Sequence, residues 1–99
     1  MKLEVGTFGL RVRGWIPLDE AKALVDSGKV LEFGYYGDAT LEKSEDNYVV
    51  QNTVTGTIVY NGPDFKEAFF TARRIGRRYN NLNDKYFHNE WEKTILRGR

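Results

Sequence analysis

The side chains in this sequence that have chemistry to offer are few and scattered. His88 is the sole histidine, and there is no cysteine. Asp84 and Glu92 stand four residues to either side of it, so on a helix the three share one face. Such a face has donors for a divalent cation. Metal sites usually draw ligands from several elements, however, and the plainer reading is a polar, exposed helix surface. His88-Asn89-Glu90 fits the H-x-E half of a zinc deaminase, but the P-C-x-x-C half is missing, and that reading fails. Asp38, Glu42, Glu45 and Asp46 cluster in sequence. Acid–base catalysis needs two carboxylates converging in a cleft, whereas these fall in turns and an exposed strand and read as a solvated acidic rim. As a docking surface the rim has more to offer, because an acidic rim opposite a basic helix suits electrostatic docking.

Gly6, Gly9 and Gly14 do not make G-x-G-x-x-G, and neither a phosphate-binding G-x-x-x-x-G-K-[ST] nor a G-x-S-x-G elbow occurs. One histidine leaves little choice for a Ser/His/Asp set. The sequence therefore nominates no catalytic residue, no metal ligand and no cofactor, and an enzyme is not expected.

The strongest chemical pattern is a basic face carrying an aromatic ring. On a helix over residues 63–80, Lys66, Arg73, Arg74, Arg77 and Arg78 share one arc with Phe70, and only Glu67 opposes their charge. Arginine beside an aromatic side chain is what interface hot spots use. It is also what single-stranded nucleic-acid platforms use, with bases stacked on the ring and phosphates on the arginines. The structural alternative is that Phe70 packs under a later helix and the arginines pair with Glu90 and Glu92. Arg11 and Arg13 could extend a phosphate-binding surface, although arginines there also suit the wet face of an edge strand that resists aggregation.

The elements that position these residues follow from periodicity. Phe65, Ala68, Phe69, Ala72, Ile75, Gly76 and Tyr79 form the opposite arc of the 63–80 helix, which must face a core. Pro63 fits the first helical position and Asp64 its first turn, and Asn80-Asn81 ends it. Gly76 is unfavourable inside a helix by about 1 kcal/mol relative to Ala, which predicts close approach to another backbone.

Upstream, residues 1–14 predict one or two short strands with Arg11 and Arg13 opposite Leu10 and Val12. Residues 18–28 predict a short packing helix, with Leu18, Ala21, Leu24 and Val25 buried. Residues 29–60 predict a sheet: a strand over 30–36, a turn at Gly37-Asp38, a weaker strand over 39–43, and a hairpin of 48–53 with 57–60 through Thr55-Gly56. Its connections are too short for parallel crossovers, so it must be an antiparallel meander. Alternation puts Tyr35 and Tyr36 on opposite faces, one of them exposed. Residues 82–96 predict a last helix on which Phe87 or Trp91 could cover Phe70.

Ninety-nine residues make one domain over 1–99. The absence of cysteine excludes disulfide frameworks and thiolate chemistry, and a small cysteine-free domain fits the cytoplasm. No apolar run approaches a membrane span, and charges interrupt residues 1–14 too often for a signal peptide. Residues 1–60 hold six basic and nine acidic side chains, while residues 61–99 hold nine and five. This polarity falls short of a dedicated nucleic-acid binder.

The expected fold is α+β: an antiparallel meander of four to five strands covered on one face by the central helix, with short N-terminal and C-terminal helices. The general look is similar to that of short accessory proteins of phages and mobile elements, many of which bind and block a host protein. The function expected is a small non-enzymatic protein-binding module, an inhibitor or adaptor, docking through Phe70, Arg73, Arg74, Arg77 and Lys66. The alternative is a nucleic-acid-binding protein using Arg11, Arg13, Arg74, Arg77 and Arg78. The expected state is monomer or homodimer, since an open sheet edge permits pairing.

Overall fold

Alternation of side chains decides which way each strand faces. Leu10 and Val12, Leu31 and Phe33, Ala39 and Leu41, and Tyr48 and Val50 all point to one side, where they are buried or packed against the core. The structure, a computed structural model, describes residues 2–77. Its strands are β1 (Lys2–Val5), β2 (Leu10–Arg13), β3 (Leu31–Phe33), β4 (Ala39–Ser44), β5 (Asn47–Asn52) and β6 (Thr57–Gly62). Helix α1 (Leu18–Asp26) lies between β2 and β3, and a second helix, α2, runs over residues 65–77.

The six strands form one sheet in sequence order. Every neighbouring pair is antiparallel except β2–β3, which is parallel, with Leu10 opposite Leu31 and Arg11 opposite Glu32. This corrects the meander of four to five antiparallel strands. The short connections do force antiparallel pairing from β3 to β6. Residues 14–30, however, contain α1, and a segment of that length carries the chain back across the sheet so that β3 starts at the same end as β2. The N-terminal hairpin thereby joins the sheet, and β2 becomes an interior strand.

Both helices cover the same face. Ala21 and Val25 of α1 and Phe65, Ala68, Phe69 and Ala72 of α2 complete the core, with Leu18, Leu24 and Ile75 packed at its margin. Phe69 meets Phe33 edge-on at 5.6 Å, and Phe65 meets Tyr48 at 5.0 Å. Each fully buried Leu or Phe is worth about 1.5–3 kcal/mol, so this layer is the main source of stability. Gly76 allows the helix its approach: a Cβ there would come within 2.8 Å of the Gly34 nitrogen and of Phe33 Cβ.

Two local boundaries differ from expectation. Phe65, not Pro63, begins α2; the Asp64 carboxylate accepts hydrogen bonds from the Lys66 and Glu67 amides at 3.0 and 3.3 Å, the geometry of an N-cap. The third strand stops at Phe33, because Gly34 adopts φ 100° and turns the chain. Tyr35 and Tyr36 therefore sit in a turn, both exposed, with ring centroids 5.6 Å apart, and strand alternation does not govern them. The expected helix over 82–96, the helix end at Asn80-Asn81, and Arg78, Tyr79, Asp84, His88, Glu90 and Glu92 lie outside the described residues.

Candidate functional site

The outer arc of α2 carries Lys66, Phe70, Arg73, Arg74 and Arg77. Residues three and four apart on a helix are neighbours, so Lys66, Arg73 and Arg74 flank Phe70 directly and Arg77 lies one turn beyond. The Phe70 ring stays 37% exposed even though it leans edge-on against Phe69 at 5.3 Å. Lys66, Arg74 and Arg77 are exposed and Arg73 is half-buried. Among the described residues, no ion pair engages any of these four cations. Arg74 donates to the Thr71 hydroxyl, at 3.4 Å. The arrangement is a basic surface around a ring held in place from behind, able to hydrogen-bond an anionic group and to insert into an apolar recess.

Beside the start of this helix runs an open groove of about 550 Å³, lined by Leu18, Lys22, Pro63, Phe65 and Lys66 among others. The carboxylates at its mouth are committed locally. Asp64 caps α2, and Asp19 accepts the Glu20 amide at 3.0 Å. Lys22 is held by Asp26 at 2.8 Å. Asp26 also accepts the Tyr48 phenol at 2.6 Å, and these two donors, Lys22 foremost, hold its carboxyl below the ordinary aspartate value.

Arg11 and Arg13 do not join the α2 surface. They project from the opposite face of the sheet and are paired there, Arg11 with Glu32 at 2.8 Å and Arg13 with Glu4 at 2.9 Å. Since β2 is interior, neither arginine guards a sheet edge. Arg13 also stacks over the Tyr35 ring at 5.3 Å. Of the five arginines of the nucleic-acid alternative, the four described ones are thus divided between two faces, and Arg78 lies outside the described residues.

Glu32 was not among the residues singled out by the sequence, yet it is 0% exposed, on the sheet face opposite α1 and α2. One carboxylate oxygen accepts the backbone amides of Phe8 and Gly9, and the other accepts the Arg11 guanidinium at 2.9 Å. Arg11 in turn reaches the Thr7 hydroxyl and the Tyr35 carbonyl, both at 3.3 Å. The turns at 6–9 and 34–37 are thereby fastened to one another over the sheet. Gly6 and Gly37 press against the Glu32 carboxylate, where a side chain on either would collide with it.

The acidic rim divides as well. Glu42, Glu45 and Asp46 are exposed, but Asp38 is only 6% exposed and one of its carboxylate oxygens has no hydrogen-bond partner among the described residues. Burial pushes its carboxyl above the ordinary aspartate value. Asp38 is therefore removed from any docking rim. No group of three potential metal-ligating side chains occurs among the described residues, and no helix there is long and apolar enough to cross a membrane. No family model matches the sequence, and neither a curated protein nor a solved structure matches it.

Proposed function

We propose that this chain is a small non-enzymatic module that binds another protein through the outer face of α2, with Phe70 as the anchor and Lys66, Arg73, Arg74 and Arg77 as its charged surround. The observation that carries the reading is the 37% exposed Phe70 ring among four cations engaged in no ion pair among the described residues. An exposed ring seated in basic surroundings fits an acidic partner surface with an apolar recess. The ring would supply the contact energy, and the cations would supply orientation and association rate. A host protein blocked or adapted by a phage or mobile-element accessory protein is the setting that suits this activity.

The experiment is affinity capture from host lysate with the wild type and with Phe70→Ala/Arg74→Glu, alongside melting curves of both. The double variant is expected to melt like the wild type and to lose the captured protein by about 100-fold or more in affinity, a loss on the scale of an anchor residue plus a charge reversal. Retention of the same protein by a normally folded double variant would sink the proposal, as would collapse of the fold. The nucleic-acid reading is tested in parallel with random single-stranded DNA and RNA. Binding that weakens steeply with salt would favour it. Only Arg74 and Arg77 of its arginines lie on this face among the described residues.

A further inference from the structure

Lys66 belongs to two neighbourhoods at once. It stands one turn before Phe70 on the outer arc of α2. It also lines the open groove of about 550 Å³ at the start of that helix, together with Leu18 and Lys22 of α1. The apolar part of the groove lining is Leu18, Pro63 and Phe65. Charge is ordered along the same helix. Residues 64–70 hold Asp64, Lys66 and Glu67, whereas residues 71–77 hold Arg73, Arg74 and Arg77 and no acidic side chain. The surface therefore has an apolar groove at one end and three cations at the other, with the Phe70 ring between them.

We propose that the partner element this surface receives is an amphipathic helix, apolar in one half and acidic in the other. It lies along α2 with its apolar half in the groove and its acidic half over Arg73, Arg74 and Arg77, an inference that rests on the protein-binding reading of the α2 face. Charge complementarity selects the acidic half and its position, because the three arginines form no ion pair among the described residues. The groove selects the apolar half. Its carboxylates are spent on the backbone amides of Glu20, Lys66 and Glu67, and Lys22 is spent on Asp26, so an entering apolar side chain meets Leu18, Pro63 and Phe65. Backbone accounting selects a helix. The outer arc of α2 offers side chains only, since its backbone groups are bonded within the helix. It has no ladder to extend, and a partner segment must satisfy its own backbone, as a helix does. From Lys66 to Arg77 the surface is about 17 Å long, the length of a partner helix of about 12 residues. A small residue at the middle of that helix leaves the recess for the Phe70 ring.

The test is fluorescence anisotropy on the full chain with synthetic peptides of about 14 residues, cross-linked on their outer face because helices this short are marginal in water. The probe carries glutamates in its first half, alanine at its middle and leucines in its second half, all on one face. One control replaces the leucines by glutamines and another replaces the glutamates by lysines. The probe is expected to bind with a dissociation constant of about 50 µM at low salt, the glutamine control about tenfold more weakly, and the lysine control not at all. Leu18→Gln should weaken the probe about tenfold and leave the glutamine control unchanged, because the two changes remove one contact. Arg77→Glu should weaken both peptides alike. If Leu18→Gln does not fold, Pro63→Glu places a charge on the exposed groove wall and is read the same way. A probe that fails to bind at about 1 mM overturns the proposal. So does a probe that Leu18→Gln does not weaken, or one that single-stranded DNA or RNA displaces from this face. Capture from host lysate that survives Leu18→Gln but is lost in Phe70→Ala/Arg74→Glu overturns the groove-bound helix while leaving the α2 docking face in place.

Discussion

Asp38 is the residue at which folding works against solvation. The chain turns at Gly34 and enters β4 at Ala39, and the Asp38 carboxyl is left packed on Gly34 with one oxygen unsatisfied among the described residues. Because burial raises its folded-state value above 3.8, the folded chain holds this proton more tightly than the unfolded chain. Its contribution to stability is thus full below the unfolded value and is lost as pH rises through the folded one. Asp38→Asn is expected to raise the melting temperature at about pH 7, with the gain over wild type vanishing towards about pH 3. Melting curves of the two proteins across that range check it, and a gain that persists in acid would count against desolvation as the cause. Asp26 has the opposite sign, stabilising above 3.8 and losing that contribution in acid, so only the difference between variant and wild type isolates Asp38. None of this was legible from Asp38 in its local sequence, where Gly37-Asp38 reads as an exposed turn. Burial comes from distant groups, such as Thr53, which bonds the Gly37 and Asp38 carbonyls. Gly76 was legible, because a glycine inside a strong helical pattern forfeits helix stability and so points to a backbone packed close against it.

At the scale of elements, the informative object is the pair of turns at 6–9 and 34–37 fastened through Glu32 and Arg11. A buried ion pair is often no better for stability than well-packed apolar residues, but removing one partner strands the other. Glu32→Ala is expected to cost about 3–5 kcal/mol on that ground. It should also accelerate amide exchange at Phe8 and Gly9 well before exchange at β5 rises. Exchange at Phe8 no faster than in the wild type would show that the turn holds itself. The turn at 34–37 did not emerge from sequence, which reads 30–36 as a strand, whereas α1, the hairpin of 48–53 with 57–60 and the buried arc of α2 emerge as local periodicities. The fastening does not, because Arg11 and Glu32 become neighbours only through the parallel register of β2 with β3, and that register depends on contacts 21 positions apart. The α2 surface was legible as a pattern, since its arc is a property of one helix. That Arg11 and Arg13 stand apart from it is a property of the whole sheet.

Among the described residues, both helices lie on one side of the sheet and the other face is polar and held by ion pairs. The β2–β3 junction has a consequence for the order of assembly. Every other strand pair closes through a turn of a few residues, but β2 meets β3 only after α1 and its flanking loops are gathered in. Closing the longer loop costs more chain entropy, and contacts distant in sequence tend to form late. Val50→Ala, in the β3–β6 meander, is therefore expected to slow folding, whereas Val12→Ala, in β2, should chiefly speed unfolding. Stopped-flow chevron plots of the two variants separate these effects, and the reverse assignment would contradict the order. The hairpin that comes earliest along the chain is thus the last piece to be locked into the finished sheet.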